Sequence, residues 1–109
     1  MECMASGIPT IVAANTGQRD LVATGGCVPL TAQGPVRAPS RLYRETDGWG
    51  ESSVEEMVEA LEKLWSDHTA ANSLASRGAE AMKRWSWSVQ VDGLLRELAK
   101  LNQKAGERR

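Results

Sequence analysis

The stretch Thr10-Ile11-Val12-Ala13-Ala14 constrains this chain most, because it is β-branched or apolar throughout and shows no polar alternation. A strand with one solvated face alternates, whereas one covered on both faces of a parallel sheet does not. Its borders are equally clear. Glu2 to Ser6 has the character of the last turns of a helix, Gly7 suits a left-handed C′ position, and Pro9 prevents continuation. Asn15-Thr16-Gly17 closes the strand with turn chemistry. A second short strand, Cys27-Val28-Pro29-Leu30, follows Gly25-Gly26, and Pro29 restricts it to an edge or a strand end.

The second half is helical in pattern. Ser53 begins a helix with Glu56 three residues on as a capping box, and Val54, Met57, Val58, Leu61, Leu64 and Trp65 trace one face. Asp67 N-caps a second helix with the face Ala71, Leu74, Ala75, Gly78, Ala81, Met82 and Trp85. Ser86 or Ser88 restarts the chain, and Trp87, Val91, Leu94, Leu95, Leu98 and Leu101 form a third face. These faces, with Trp65, Trp85 and Trp87, are expected to be core. Part of the leucine face is free to mediate association if no further domain covers it.

Two strands and several helices do not complete an α/β domain, because parallel pairs need crossovers and a doubly covered strand needs neighbours on each side. The expected fold class is therefore α/β: a partial Rossmann-like, doubly wound domain with C-terminal helices, truncated on its N-terminal side. Residues 1–30 form the strand and ligand-edge segment, 31–51 a Gly-, Pro- and Arg-rich loop, 52–104 the helical segment and 105–109 a polar tail.

Composition narrows the function classes. A chain of 109 residues is at most one modest domain, and its net charge of -1 gives no general attraction to nucleic acid or anionic membranes. Cys3, Cys27 and the single His68 include no C-x-x-C pair, so neither a disulfide framework nor a metal site is expected. No signal peptide is visible, and no apolar segment approaches the ~20 residues needed to span a bilayer. The expected location is cytoplasmic, with membrane association left open.

Glu2 admits two readings. An acid on a short helix commonly does no more than keep a surface solvated. Alternatively, it lies near a phosphate-facing helix end and accepts two hydrogen bonds from a ribose diol. Asn15-Thr16-Gly17 falls at the carboxyl end of the strand, the edge at which open α/β sheets bind ligands. Among weaker candidates, Arg37, Arg41 and Arg44 around Pro35, Pro39 and Tyr43 form a surface loop or a flap over a cleft. His68 is expected exposed in a first helical turn, and Cys3 is expected as a small packing residue. Glu55, Glu56 and Glu59 are expected as a solvated face. Trp49 stands outside any helix and is left open.

Glu2-Cys3-Met4-Ala5-Ser6-Gly7-Ile8-Pro9-Thr10-Ile11 resembles the second half of the motif E-x(7)-E-A-M-A-x-G-x-P-V-I of the group-1 (family 4) retaining glycosyltransferases, with Cys3 where Ala is commoner. Asn15-Thr16-Gly17-Gln18-Arg19-Asp20-Leu21-Val22 resembles their N-T-G-H-x-D-L-I loop, with Gln18 in place of His. Asp47-Gly48-Trp49-Gly50-Glu51-Ser52 resembles the linker to their C-terminal helices, and Trp85-Ser86-Trp87 the signature before the last helix.

The resemblance implies two facing Rossmann-like domains in the complete enzyme, of which this chain is the C-terminal portion. It implies a nucleotide-diphosphate sugar donor, retaining transfer without an obligatory metal and no further cofactor. Glu2 would hold the nucleotide ribose, Thr16, Gly17 and Gln18 would lie near the donor, and Asp20 would serve the turn structurally. No catalytic residue is assigned. The first Glu of the pair, the basic residues facing the diphosphate and the acceptor domain would precede Met1, so the chain alone is expected to lack transferase activity. Two rivals stay open: a non-catalytic helical interaction module or half of a split enzyme, and a truncated reading frame whose Met1 is an internal methionine.

Overall fold

In a computed structural model, residues 1–36 and 49–106 are described, with side chains to residue 103. The chain begins with α1 (Glu2–Ala5) and β1 (Ile11–Ala13). A 3-10 turn (Thr16–Gln18) runs into α2 (Arg19–Val22), and β2 (Val28–Leu30) follows. Next come β3 (Gln33–Gly34), β4 (Glu51–Ser52), α3 (Val54–Ser66), α4 (His68–Met82), a 3-10 turn (Lys83–Trp85) and α5 (Trp87–Gly106).

Local punctuation is as the sequence dictates. Gly7 adopts φ +69°, its N–H donates to the Met4 carbonyl at 3.0 Å, and the Ile8 N–H donates to the Cys3 carbonyl at 2.9 Å. This is the Schellman pair, and it ends α1 at the glycine. Ser53 Oγ accepts from the Glu56 N–H at 3.2 Å, and Asp67 Oδ1 accepts from the Ala70 N–H at 2.8 Å, so both long-helix caps form. The capping box is incomplete, however. The Glu56 carboxylate turns away from α3 and accepts from the Thr31 N–H, the Thr31 hydroxyl and the Ala32 N–H at 2.8–3.0 Å. It is a tie between β2 and α3, and not part of a solvated acidic face.

The strands do pair in parallel, with Ile11 opposite Val28, Val12 opposite Pro29 and Ala13 opposite Leu30. The expectation of a partial Rossmann-like α/β domain nevertheless fails. The described residues are mostly helical, and their strands form two sheets of two strands each, one parallel and one antiparallel. Pro29 supplies a physical reason. The Val28 N–H donates to the Thr10 carbonyl, and the Ala14 N–H donates to the Leu30 carbonyl. The intervening residue therefore faces the outer edge of β2, where proline has no N–H to offer a further strand. The 31–51 loop also contributes structure, since Gln33 and Gly34 pair antiparallel with Ser52 and Glu51.

The core is small. Met4, fully buried, packs with Val12, Cys27 and Met82, and Leu21, Val22 and Ala81 flank them. Cys27 Sγ donates to the Leu21 carbonyl at 3.7 Å, and burial pushes its thiol pKa up. Cys3, expected to pack, is exposed. On α4 the face Ala71, Leu74, Ala75, Gly78 and Met82 is buried as expected. The other two faces depart from expectation. On α3, Ala60 is buried, while Val54, Val58, Leu61 and Trp65 are exposed. On α5, all the leucines are exposed. Trp65, Trp85 and Trp87 are 78%, 38% and 86% exposed and are therefore not core anchors. The periodicity is real, but nothing among the described residues covers those stripes. No helix among the described residues is long and apolar enough to cross a membrane.

Candidate functional site

Asn15 organises the carboxyl end of β1. Its backbone is extended, and its side-chain Nδ2 donates to Gln33 Oε1 at 2.9 Å and to the Gly50 carbonyl at 3.0 Å. Gln33 in turn donates through Nε2 to the Leu30 carbonyl and to Ser52 Oγ, each at 3.0 Å. Two amide side chains thus tie together the ends of β1 and β2 and the β3–β4 ribbon. Gly50 lets the ribbon approach this closely, because a Cβ there would lie 2.6 Å from Gln33 Oε1 and 2.8 Å from its Cβ.

Beside this tie lies a cleft of about 260 Å³, lined by Asn15, Thr16, Val36, Trp49 and Gly50. Among the described residues no lining side chain is charged. The wall combines an indole that is 49% exposed with amide and hydroxyl groups and an apolar valine. These described groups can meet a ligand through apolar contact and a few directed hydrogen bonds. Thr16 has φ 43°, a left-handed conformation that β-branched residues rarely adopt. Its hydroxyl lies 3.4 Å from Asn15 Oδ1, a long contact.

The residues selected from sequence divide. Thr16 lines the cleft. Gly17 and Gln18 continue the exposed 3-10 turn, whose Gln18 N–H donates to the Asn15 carbonyl at 3.1 Å, and neither is among the cleft's lining residues. Asp20 sits exposed in α2. Glu2 stands apart at the start of α1, its side chain 99% exposed and 3.5 Å from the Met1 amine. A backbone hydrogen bond within its own residue and the neighbouring ammonium hold its carboxyl below the usual range. No hydrogen bond or ion pair among the described residues joins Glu2 to Thr16, Gly17 or Gln18.

Asn15 was placed at the ligand edge from sequence, but its ties to Gln33 and Gly50 were not foreseen, nor was the close approach at Gly50. An asparagine at a strand end is a usable signal, but Gln33 sits in an unpatterned stretch and carries none. His68 is exposed in the first turn of α4, as expected, with its ring edge-on to Trp65 at 5.6 Å. Arg37, Arg41, Arg44, Pro39 and Tyr43 lie outside the described residues, as do Asp47 and Gly48.

Two further cavities lie elsewhere among the described residues. One, about 560 Å³, is an open depression over the β3–β4 ribbon; the other, about 230 Å³, lies among Val28, Leu64, Ala71, Leu74 and Arg77. Among the described residues no group of three metal-ligating side chains gathers. Compared with known protein families, curated proteins and solved structures, the chain has no match.

Proposed function

We propose that this chain is the donor-side portion of a retaining glycosyltransferase, where it helps to bind a nucleotide-diphosphate sugar. One observation supports the reading: the cleft at the carboxyl end of β1, where Thr16 of the glycosyltransferase-like loop and Trp49 of the linker-like segment meet. Trp49 contributes apolar area to the wall, and the Asn15 and Thr16 groups offer hydrogen bonds at its rim. Glu2, nearly fully exposed and anionic, is open to accept hydrogen bonds from a ribose diol. Transfer itself requires an acceptor and groups that stabilise a departing diphosphate in one water-poor site, which a second protein domain would provide.

The test is calorimetric titration of the purified chain with uridine, guanosine and adenosine diphosphates and with their sugar conjugates. Saturable binding, weakened in both Glu2→Ala and Trp49→Ala, is the expected result. No binding to any of them would refute the proposal. In that case the second reading gains, a non-catalytic helical interaction module, which the bare apolar faces of α3 and α5 favour.

A further inference from the structure

The cavity of about 230 Å³ between β2, α3 and α4 joins an apolar interior to two cations. Ala71 and Leu74 of α4 are buried, and Val28 of β2 and Leu64 of α3 are half-buried, so aliphatic side chains from three elements meet there. Lys63 and Arg77 line the same space and are exposed. Long cationic side chains lay their stems along apolar surface and keep the charged end in water, which assigns both charges to the mouth. None of these residues lines the cleft at the end of β1.

Neither cation is neutralised from within the chain. Lys83 and Lys100 each pair with the glutamate three residues before, Glu80 and Glu97, whereas Lys63 and Arg77 make no ion pair among the described residues. Asp67, four residues after Lys63, directs its carboxylate to the Ala70 N–H at the cap of α4. Arg77 is held in place: Nη1 donates to Ser73 Oγ at 3.0 Å, and Nε makes a long contact of 3.5 Å to the Gly25 carbonyl. The first bond draws the guanidinium back one turn along α4, and no bond among the described residues engages Nη2. No acidic side chain lines the cavity among the described residues.

We propose that this cavity binds a small carboxylate with an apolar body, whose charged end meets Lys63 and Arg77 at the mouth. The two unpaired cations select an anion, and a guanidinium fork matches a carboxylate in shape. The aliphatic interior selects an organic body over an inorganic anion, which would leave it unfilled. Volume sets the size. An apolar cavity of ~150 Å³ takes one benzene, and pockets for drug-sized ligands begin near ~300 Å³. A space between these limits holds one ring with a short arm, or a short chain, and is too small for a long acyl chain.

Calorimetric titration of the full chain with 3-phenylpropionate, and with 3-phenylpropanol as an uncharged match, tests the proposal. The acid should bind saturably with a Kd on the order of 100 µM, about tenfold tighter than the alcohol. Backbone amide NMR shifts should gather at Ala70, Ala71 and Leu74, and not at Asn15, Thr16 and Gly50. Lys63→Met combined with Arg77→Met, both at exposed positions, should abolish the preference for the acid and leave the affinity for the alcohol unchanged. Lys63→Met alone should remove part of that preference. Ala70→Leu, at an exposed lining position, narrows the cavity and should weaken both ligands. The absence of saturable binding of the acid below about 10 mM would overturn the proposal. So would equal affinity for acid and alcohol, shifts centred on the β1 cleft, or a preference that survives in full when Lys63 is replaced. Because no arm involves nucleotide, the proposal stands or falls separately from the glycosyltransferase reading.

Discussion

Replacing Gly26 by alanine tests the account of what holds the small core together. Gly26 precedes β2 and lies against α4, where a Cβ would sit 2.5 Å from Gly78 Cα, 2.8 Å from Gly78 N and 3.2 Å from the Arg77 carbonyl carbon. Carbon atoms in favourable contact are about 3.5–4.0 Å apart, so the two backbones would have to separate by roughly 1 Å. No flexible side chain can absorb that movement, because the opposing atoms are helix backbone. Retreat of α4 would also loosen Met82 from Met4, Val12 and Cys27, the buried cluster itself.

Overpacking of this kind costs about 1–3 kcal/mol, and backbone against backbone belongs near the upper end. The lower entropy of an unfolded alanine chain returns about 0.4–1 kcal/mol. The net loss is therefore about 1–2.5 kcal/mol, a Tm fall of roughly 4–8 °C per kcal/mol for a domain near this size. Gly78→Ala meets the Gly26 carbonyl oxygen at 2.7 Å, but mid-helix alanine gains about 1 kcal/mol of helix propensity, so its loss should be smaller. Once either substitution has separated the backbones, the second costs less, and the double variant should fall short of additivity by at least about 0.5 kcal/mol. Urea unfolding followed by circular dichroism measures all three. A Gly26→Ala protein as stable as the parent, or less affected than Gly78→Ala, would falsify the close-approach argument.

Gly93 is the opposite case. It lies inside α5, and a Cβ there meets nothing within 4 Å, so Gly93→Ala should stabilise the helix by about 0.5–1 kcal/mol, seen as higher ellipticity at elevated temperature. Glu56 should impose an acid limit on stability. Its carboxyl is held below the ordinary value of 4.5, chiefly by the Thr31 N–H, so the stabilisation is present above that value and is lost as pH falls through the lower folded-state value. Glu56→Gln should be less stable at neutral pH and show a shallower loss of stability on acidification below about pH 4.5; parallel curves for the two proteins would contradict the tie to Thr31 and Ala32.

Local features proved legible because local chemistry determines them. Gly7, Ser53 and Asp67 act within a few residues of themselves, and each forms the turn or cap that its type implies. That the two apolar runs form strands was legible as well, though not that they pair with each other. The destination of the helical faces was not, because periodicity says which residues share a face but not whether a neighbour covers it. Val54, Val58, Leu61 and Trp65 repeat as regularly as the buried residues of α4, yet remain exposed. The error in fold class has the same source. An apolar run shows that a strand favours company, while the number of strands available depends on edge chemistry such as the missing N–H of Pro29. In the candidate site, Thr16 was found through its loop. Apart from its neighbour Asn15, the side of the cleft that faces it comes from far along the chain: Asn15 is tied to Gly50 across 35 residues and, behind the cleft, to Gln33 across 18, which no local pattern carries.

Thr16 shows how the fold and the cleft are linked. A β-branched residue at φ 43° costs of order 1–2 kcal/mol relative to the right-handed region, and a glycine or asparagine would carry that geometry more easily. The conformation persists because both flanks are fixed. On one side the Ala14 N–H bonds to the Leu30 carbonyl at 2.8 Å; on the other, the Gln18 N–H bonds to the Asn15 carbonyl at 3.1 Å and leads into α2. Asn15, between them, is held by two further hydrogen bonds to the β3–β4 side. The chain must therefore turn within one residue, and the residue that turns is one of those lining the cleft. Strain held in this way gathers where a surface is shaped for use. Among the described residues, the one non-glycine residue with a left-handed backbone also lines the cleft, beside Asn15 of the same loop. That coincidence of strain, rigidity and cavity gives this edge of β1 a stronger claim as the binding site than the larger but open depression over the ribbon.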